Sequence, residues 1–148
     1  MRPKSRGSVT LQSADPYQAP AIDPGFFTHP DDMAVAIKGA RMGFEILEAK
    51  AMAPYRGKRL HPFDVNDDKA MEAFLRATCD TEYHPVGTCK MGSDTDPMAV
   101  VDAQLRVRGV QALRVVDASI MPALTTGNTN APSMVIGEKA ADLIRAGG

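Results

Sequence analysis

Tryptophan is absent from this 148-residue chain, and aromatic residues make up only 5% of it. A platform of stacked nucleic-acid bases therefore has little to be built from. Charge of one sign is missing too. Seventeen basic residues face eighteen acidic ones, a net charge of −1, so no field is available to hold nucleic acid or an anionic membrane surface. The two cysteines, Cys79 and Cys89, are too few for a disulfide scaffold or a four-thiolate zinc site. No apolar run is long enough to cross a bilayer. The basic start, Met1 to Gly7, leads into alternating polar and apolar residues rather than an apolar core, which is not a secretory signal.

What is present is a globular balance, 44% hydrophobic and 24% charged, over a length that can bury one core. Turn formers are plentiful, with 12 Gly and 11 Pro. With few regular elements in prospect, much of the chain must be ordered loop, and ordered loops of that extent usually serve a function.

Ser8, Thr10 and Gln12 alternate with Val9 and Leu11, which predicts a short strand with one wet face. Pro16, Pro20, Pro24 and, just beyond, Pro30 punctuate the next stretch. Proline fixes φ and removes a donor, so this stretch reads as extended and unpaired. Ile22, Phe26 and Phe27 suggest that it lies on something apolar. Thr28 is the expected cap of a first helix over about residues 30–51, with Met33, Ile37, Ala40, Phe44 and Leu47 as its apolar stripe. Pro54 and Gly57 end it. Asn66, Asp67 and Asp68 open a second, shorter helix that turns Met71, Phe74 and Leu75 inward and ends near Ala77. His29 and His61 read as capping or surface residues.

His84 stands before Pro85 and is thereby held out of a helix, with Gly87 free to turn beside it. A histidine on a scaffolded loop is a candidate for chemistry as well as for structure. Pairing His84 with Cys89 as a thiol nucleophile is conceivable, but no third, orienting residue is indicated. Cys79, His84 and Cys89 lack a fourth ligand for a closed zinc site. Further on, Leu105–Val107 and Leu113–Asp117 read as short strands. The second ends at Asp117-Ala118-Ser119, and ligands of α/β folds gather at strand C-termini. The polar loop Thr125–Asn130 leads to a helix over Ser133–Ala146, with Asn130 as its cap, Pro132 in its first turn, and Met134, Ile136, Ala140 and Ile144 available for burial. The N–H groups at such a start are open to an anion.

Three segments closely resemble one family. HPVGTCKMG, AVVDAQLRVRGVQALRVVDASIMP and TGNTNAPSMVIGEKAADLI are similar to the C-terminal part of glucose–methanol–choline (GMC) flavin oxidoreductases. The nearest pattern is that of the choline dehydrogenase and long-chain alcohol dehydrogenase branch. RPKSRGSVTLQSADPYQAPAIDPGFFTHPDDM fits as well, so the likeness runs through essentially the whole chain. It implies an α+β piece of a two-domain FAD-dependent fold. Residues 1–92 would belong to the antiparallel-sheet substrate domain. Residues 93–148 would return to complete the Rossmann-like flavin domain with a closing strand and helix. It also implies FAD as cofactor and a small alcohol as substrate, choline or another primary alcohol. Oxygen or a quinone would be the electron acceptor.

By the same resemblance the family's active-site histidine matches His84, and its second position, His or Asn, matches Asn128. Flavin contacts match Asp117, Ala118, Thr129, Asn130 and Pro132. The chemistry of these residue types is compatible with those roles. A neutral imidazole can take a hydroxyl proton, and an amide can orient the hydroxyl without changing charge. The family's glycine-rich dinucleotide loop is absent from the sequence. The chain is therefore expected to be a C-terminal fragment or one piece of a split enzyme, binding FAD weakly and oxidising nothing alone. The alternative is a segment without catalysis that only completes a partner chain's flavin domain. The parent would be cytoplasmic or peripheral at the inner membrane.

Overall fold

The computed structural model describes residues 2–147. The chain forms a small α+β structure with a two-stranded antiparallel sheet and three helices. It divides into two compact units, Lys4–Thr81 and Glu82–Gly148, the latter joined by Met1–Pro3. This division follows the chain's own contacts. The expected split of 1–92 and 93–148 concerns the domains of a longer parent, which is a different quantity.

In the unit Lys4–Thr81, β1 (Ser8–Thr10) pairs antiparallel with β2 (Ala21–Asp23) in the register Ser8 to Asp23, Val9 to Ile22 and Thr10 to Ala21. The proline-rich stretch is therefore paired over three residues rather than unpaired. Its prolines flank β2, so no ladder donor is lost. Gly25 holds φ +63°, and a side chain there would run into the carbonyl oxygen of Arg6, so glycine is required at that position.

Helix α1 (Pro30–Glu48) starts one residue later than Thr28 would place it. His29 is the cap, its Nδ1 accepting the Asp31 N–H at 3.2 Å, while the Thr28 hydroxyl donates to the Gly25 carbonyl. Asp32 in the first turn accepts the backbone N–H groups of Lys4 (2.9 Å) and Ser5 (2.7 Å), tying the incoming arm to the helix. The helix ends at Glu48, short of residue 51, and a 3₁₀ turn covers Lys50–Met52. Only Met33 of its stripe is buried, and Leu47 is 51% exposed. Helix α2 (Asp68–Thr78) is capped by Asp67. Arg41 fastens its start, donating to the carbonyls of Val65 and Asn66 and to the Asp68 carboxylate. The fully buried Met71 and the stacked pair Phe63–Phe74 (4.8 Å), with Phe44 edge-on to Phe63, form the apolar interior. Burial of a methionine-sized side chain contributes about 1.5–3 kcal/mol.

The unit 82–147 is mostly ordered loop closed on helix α3 (Asn130–Gly147). Its core is Val101, Leu105, Ile120 and Ala140, flanked by Met91, Val107, Val115, Ile136 and Leu143. The expected strands at Leu105–Val107 and Leu113–Asp117 are reduced to single bridges, Val101 with Val107 and Arg106 with Arg114. A strand exists only through its partners, and few lie alongside. Leu105 takes φ +64°, unusual for a branched side chain. Asp102 stabilises that turn by accepting from Gln104 N, Arg106 N and Arg106 Nε at 2.9–3.0 Å. On α3 the exposed side chains differ from expectation. Ala140 is buried, but Met134 is 63% and Ile144 48% exposed. Among the described residues no helix is long and apolar enough to cross a membrane.

Candidate active site

The site is assembled within the unit 82–147 from two segments held on that core. The first runs from Tyr83 to Met91. Cys89 N–H donates to the Ser119 carbonyl (3.0 Å) and Met91 N–H to the Ile120 carbonyl (2.7 Å). The segment thus lies along the 3₁₀ turn Ala118–Ile120, which Asp117 fixes by accepting Ser119 N–H at 2.7 Å. Gly87, at φ +91°, passes so close to the Met121 carbonyl that an added Cβ would sit 3.3 Å from it. Tyr83 is held at φ +60°, a left-handed conformation that costs an aromatic residue energy and tends to occur at functional positions. The half-buried His84 follows directly.

The second segment is the loop before α3. Thr125 turns it by donating to the Gly127 carbonyl at 2.8 Å. The Thr129 carbonyl accepts both Ser133 N–H (3.0 Å) and Ser133 Oγ–H (2.7 Å), which starts the helix. The residue before the helix is therefore Thr129. Asn130, the expected cap, is the first helical residue, and Pro132 falls in the first turn, where its missing N–H breaks no helical bond.

Here the two segments meet. Asn128 Nδ2 lies 2.8 Å from His84 Nε2, and Thr129 Oγ1 lies 3.0 Å from His84 Nδ1. Both ring nitrogens are thus engaged, by neighbouring residues of one loop. Asn128 is exposed, whereas Thr129 is only 8% exposed. One partner of the imidazole is exposed, the other buried. This grouping brings together His84, Asn128 and Thr129. Asp117 is spent on its own turn, and no bond joins Cys89 to His84, so the thiol pairing has no geometric support. Among the described residues no group of three or more His, Cys, Asp or Glu is gathered as metal ligands. His61 packs its ring 5.9 Å from Phe74, a structural role. The sequence offers Thr129 only as a flavin contact implied by the family resemblance; its hydroxyl contact with His84 has no sequence signal beyond its place next to Asn128.

The start of α3 has a distinct character. Its first turn carries no acidic side chain, Pro132 has no N–H, and the N–H groups of Asn130 and Ala131 meet no acceptor among the described residues. Two open donors at the positive end of a helix dipole suit an anionic or electron-rich group.

A family model described as GMC oxidoreductase matches residues 3–137. The mitochondrial choline dehydrogenase of Mus musculus is 49% identical over 146 residues, 98% of this chain and 24% of that protein. An oxygen-dependent choline dehydrogenase of Rhizobium rhizogenes is 51% identical over 142 residues, 95% of this chain and 26% of that protein. The chain thus spans about a quarter of the length of these relatives. Among solved structures, pyridoxine 4-oxidase from Mesorbium loti superposes with a TM-score of 0.90 at 35% identity, covering 99% of this chain and 28% of that one. An FAD-dependent oxidoreductase from Chaetomium thermophilum gives 0.86 at 31%, covering 97% and 25%. The chain belongs to the GMC oxidoreductases, a family that works with FAD, and corresponds to their C-terminal part.

Proposed function

We propose that this chain carries the proton-handling residues of an FAD-dependent alcohol oxidoreductase that converts choline or another primary alcohol to its aldehyde. The observation that carries the reading is the contact of His84 Nε2 with Asn128 Nδ2 at 2.8 Å, made beside open N–H groups at a helix start. FAD, when bound, accepts the hydride from the alcohol carbon.

The chain's own residues do the rest. The substrate hydroxyl displaces the exposed Asn128 amide from His84, donates to Nε2 and accepts from Asn128 Nδ2. His84 Nε2 then takes the hydroxyl proton as the carbon–hydrogen bond breaks. Asn128 holds the oxygen in place throughout. The backbone N–H groups of Asn130 and Ala131 and the dipole of α3 favour negative charge on the reduced cofactor. Asp117 and Ala118, in the turn beside the His84 segment, together with Thr129, Asn130 and Pro132, form the chain's share of the cofactor boundary.

The relatives' names support the choice of substrate and acceptor. Choline is the substrate their names give, and oxygen is named in the bacterial one; a quinone is the other acceptor of the right chemistry. The apolar side chains of Met134 and Val135, 63% and 66% exposed on α3, support docking against the remainder of a flavin domain. They suit a fused parent or a separate partner chain equally.

The test is a spectrum. The chain, joined to the missing flavin-binding portion, is mixed anaerobically with choline and the visible flavin band is followed. It should bleach, and His84→Ala should slow bleaching by about 10²–10⁴-fold, the usual contribution of a general base. Bleaching of the variant at the parent's rate would remove His84 from the chemistry.

A further inference from the structure

The geometry points to Thr129 as the residue that fixes the tautomer of His84, holding the ring proton on Nδ1 so that Nε2 presents its lone pair to the substrate hydroxyl. The argument starts from the donor inventory. The Asn128 amide is oriented with its nitrogen toward Nε2 at 2.8 Å, and an amide NH₂ only donates. Nε2 must therefore accept. A neutral imidazole has one N–H, which then sits on Nδ1, and the Thr129 hydroxyl oxygen 3.0 Å away accepts it. The opposite arrangement would set an Nε2–H against an amide N–H, two donors facing each other.

Burial says which neighbour governs. Asn128 is exposed but hydrogen-bonded to the ring, whereas Thr129 is 8% exposed, and its carbonyl is locked by two bonds from Ser133. The buried partner sets the ring, and the exposed one yields to substrate. Threonine before a helix ordinarily turns its hydroxyl to the first-turn N–H groups. Here it is spent on His84 instead. Thr129 is thus a positioning residue acting through His84, as the partner of the distal ring nitrogen does in other histidine sites. Its importance for turnover rests on the general-base reading above; the tautomer itself does not.

The experiment reads the tautomer without turnover. Long-range ¹H–¹⁵N spectra of the 148-residue chain, recorded on the alkaline plateau of the ring titration, should show His84 with a protonated Nδ1 and a bare Nε2. Thr129→Ser should keep that pattern. Thr129→Val, close in shape but without an acceptor, should move the proton to Nε2 as the Asn128 amide turns over. A protonated Nε2 in the parent chain overturns the proposal, and so does an unchanged spectrum in Thr129→Val. Should Thr129→Val fail to give a folded amide spectrum, the parent and Thr129→Ser spectra still decide. In the enzyme completed with its flavin portion, Thr129→Val should lower kcat/KM by about ten- to a hundredfold, with Thr129→Ser restoring most of it. Equal activity of all three overturns the positioning role. Failure of the general-base reading is seen separately, as undiminished turnover in His84→Ala.

Discussion

Asn128→Asp replaces a neutral donor by a carboxylate at the most sensitive point of the site. Asn128 Nδ2 is 2.8 Å from His84 Nε2, and a carboxylate oxygen of nearly the same reach would stand at a similar distance. A negative charge there favours the imidazolium, so the ring in the variant holds its proton to higher pH. At the dielectric of water the attraction is about 1.5 kcal/mol, and at half that dielectric about 3 kcal/mol. Asn128 is exposed, which keeps the effective value in this range rather than the several-fold larger one of a buried pair. One pKa unit corresponds to about 1.4 kcal/mol, so the ring should titrate about one to two pH units higher in the variant than in the parent. The base is active only when neutral, and the acidic limb of kcat/KM must therefore move up by the same amount. The limb is measured on the enzyme completed with its flavin portion, and the His84 titration by NMR on the chain. An unmoved limb together with a raised ring titration would mean that His84 does not take the substrate proton. An unmoved ring titration would refute the contact itself.

Two further outcomes test the frame. Met71, on α2, is fully buried, and Met71→Ala should cost about 2–5 kcal/mol, lowering the thermal midpoint by roughly 3 °C per kcal/mol. Leu47→Ala, at a position 51% exposed, should move that midpoint far less in the same circular-dichroism melts, and equal losses would contradict the described burial. Asp32 is held at about 2 by the Lys4 N–H, the Ser5 hydroxyl and the Ser5 N–H. Its folded value lies below the ordinary 3.8, so the stabilisation is present above that value and fades as pH falls toward 2. The Lys4 and Ser5 amides should lose exchange protection over that interval, and Asp32→Asn should abolish the pH dependence; protection constant down to pH 2 would exclude the tie.

The helices were legible because their signals are local. The stripe Met33–Phe44, the Asp67 cap and the Pro132 start are written within a few residues of the structure they produce. Caps were misplaced by one residue where two candidates stood side by side, as with Thr28 and His29 or Thr129 and Asn130. Burial was less legible. Periodicity marks an apolar face but not what covers it, and Leu47, Met134 and Ile144 are apolar faces that this chain leaves open. Strand pairing is non-local, so the β1 partner inside the proline-rich stretch carried no signal, and Leu113–Asp117 read as a strand without a ladder to join. In the site, His84 and Asn128 were singled out together only through family resemblance, since 44 residues separate them. The Thr129 hydroxyl on the far ring nitrogen is a matter of side-chain direction, which no spacing reveals.

That separation of 44 residues also has an energetic side. Closing a flexible loop of this length costs about 3 kcal/mol of chain entropy, more than one or two neutral hydrogen bonds return. The imidazole and its two partners therefore cannot find each other in an unfolded chain. Val101, Leu105, Ile120 and Ala140 must first bring the Tyr83–Met91 segment and the start of α3 onto one core. The contact therefore depends on that core, and whatever loosens Val101, Leu105, Ile120 or Ala140 loosens the site with it.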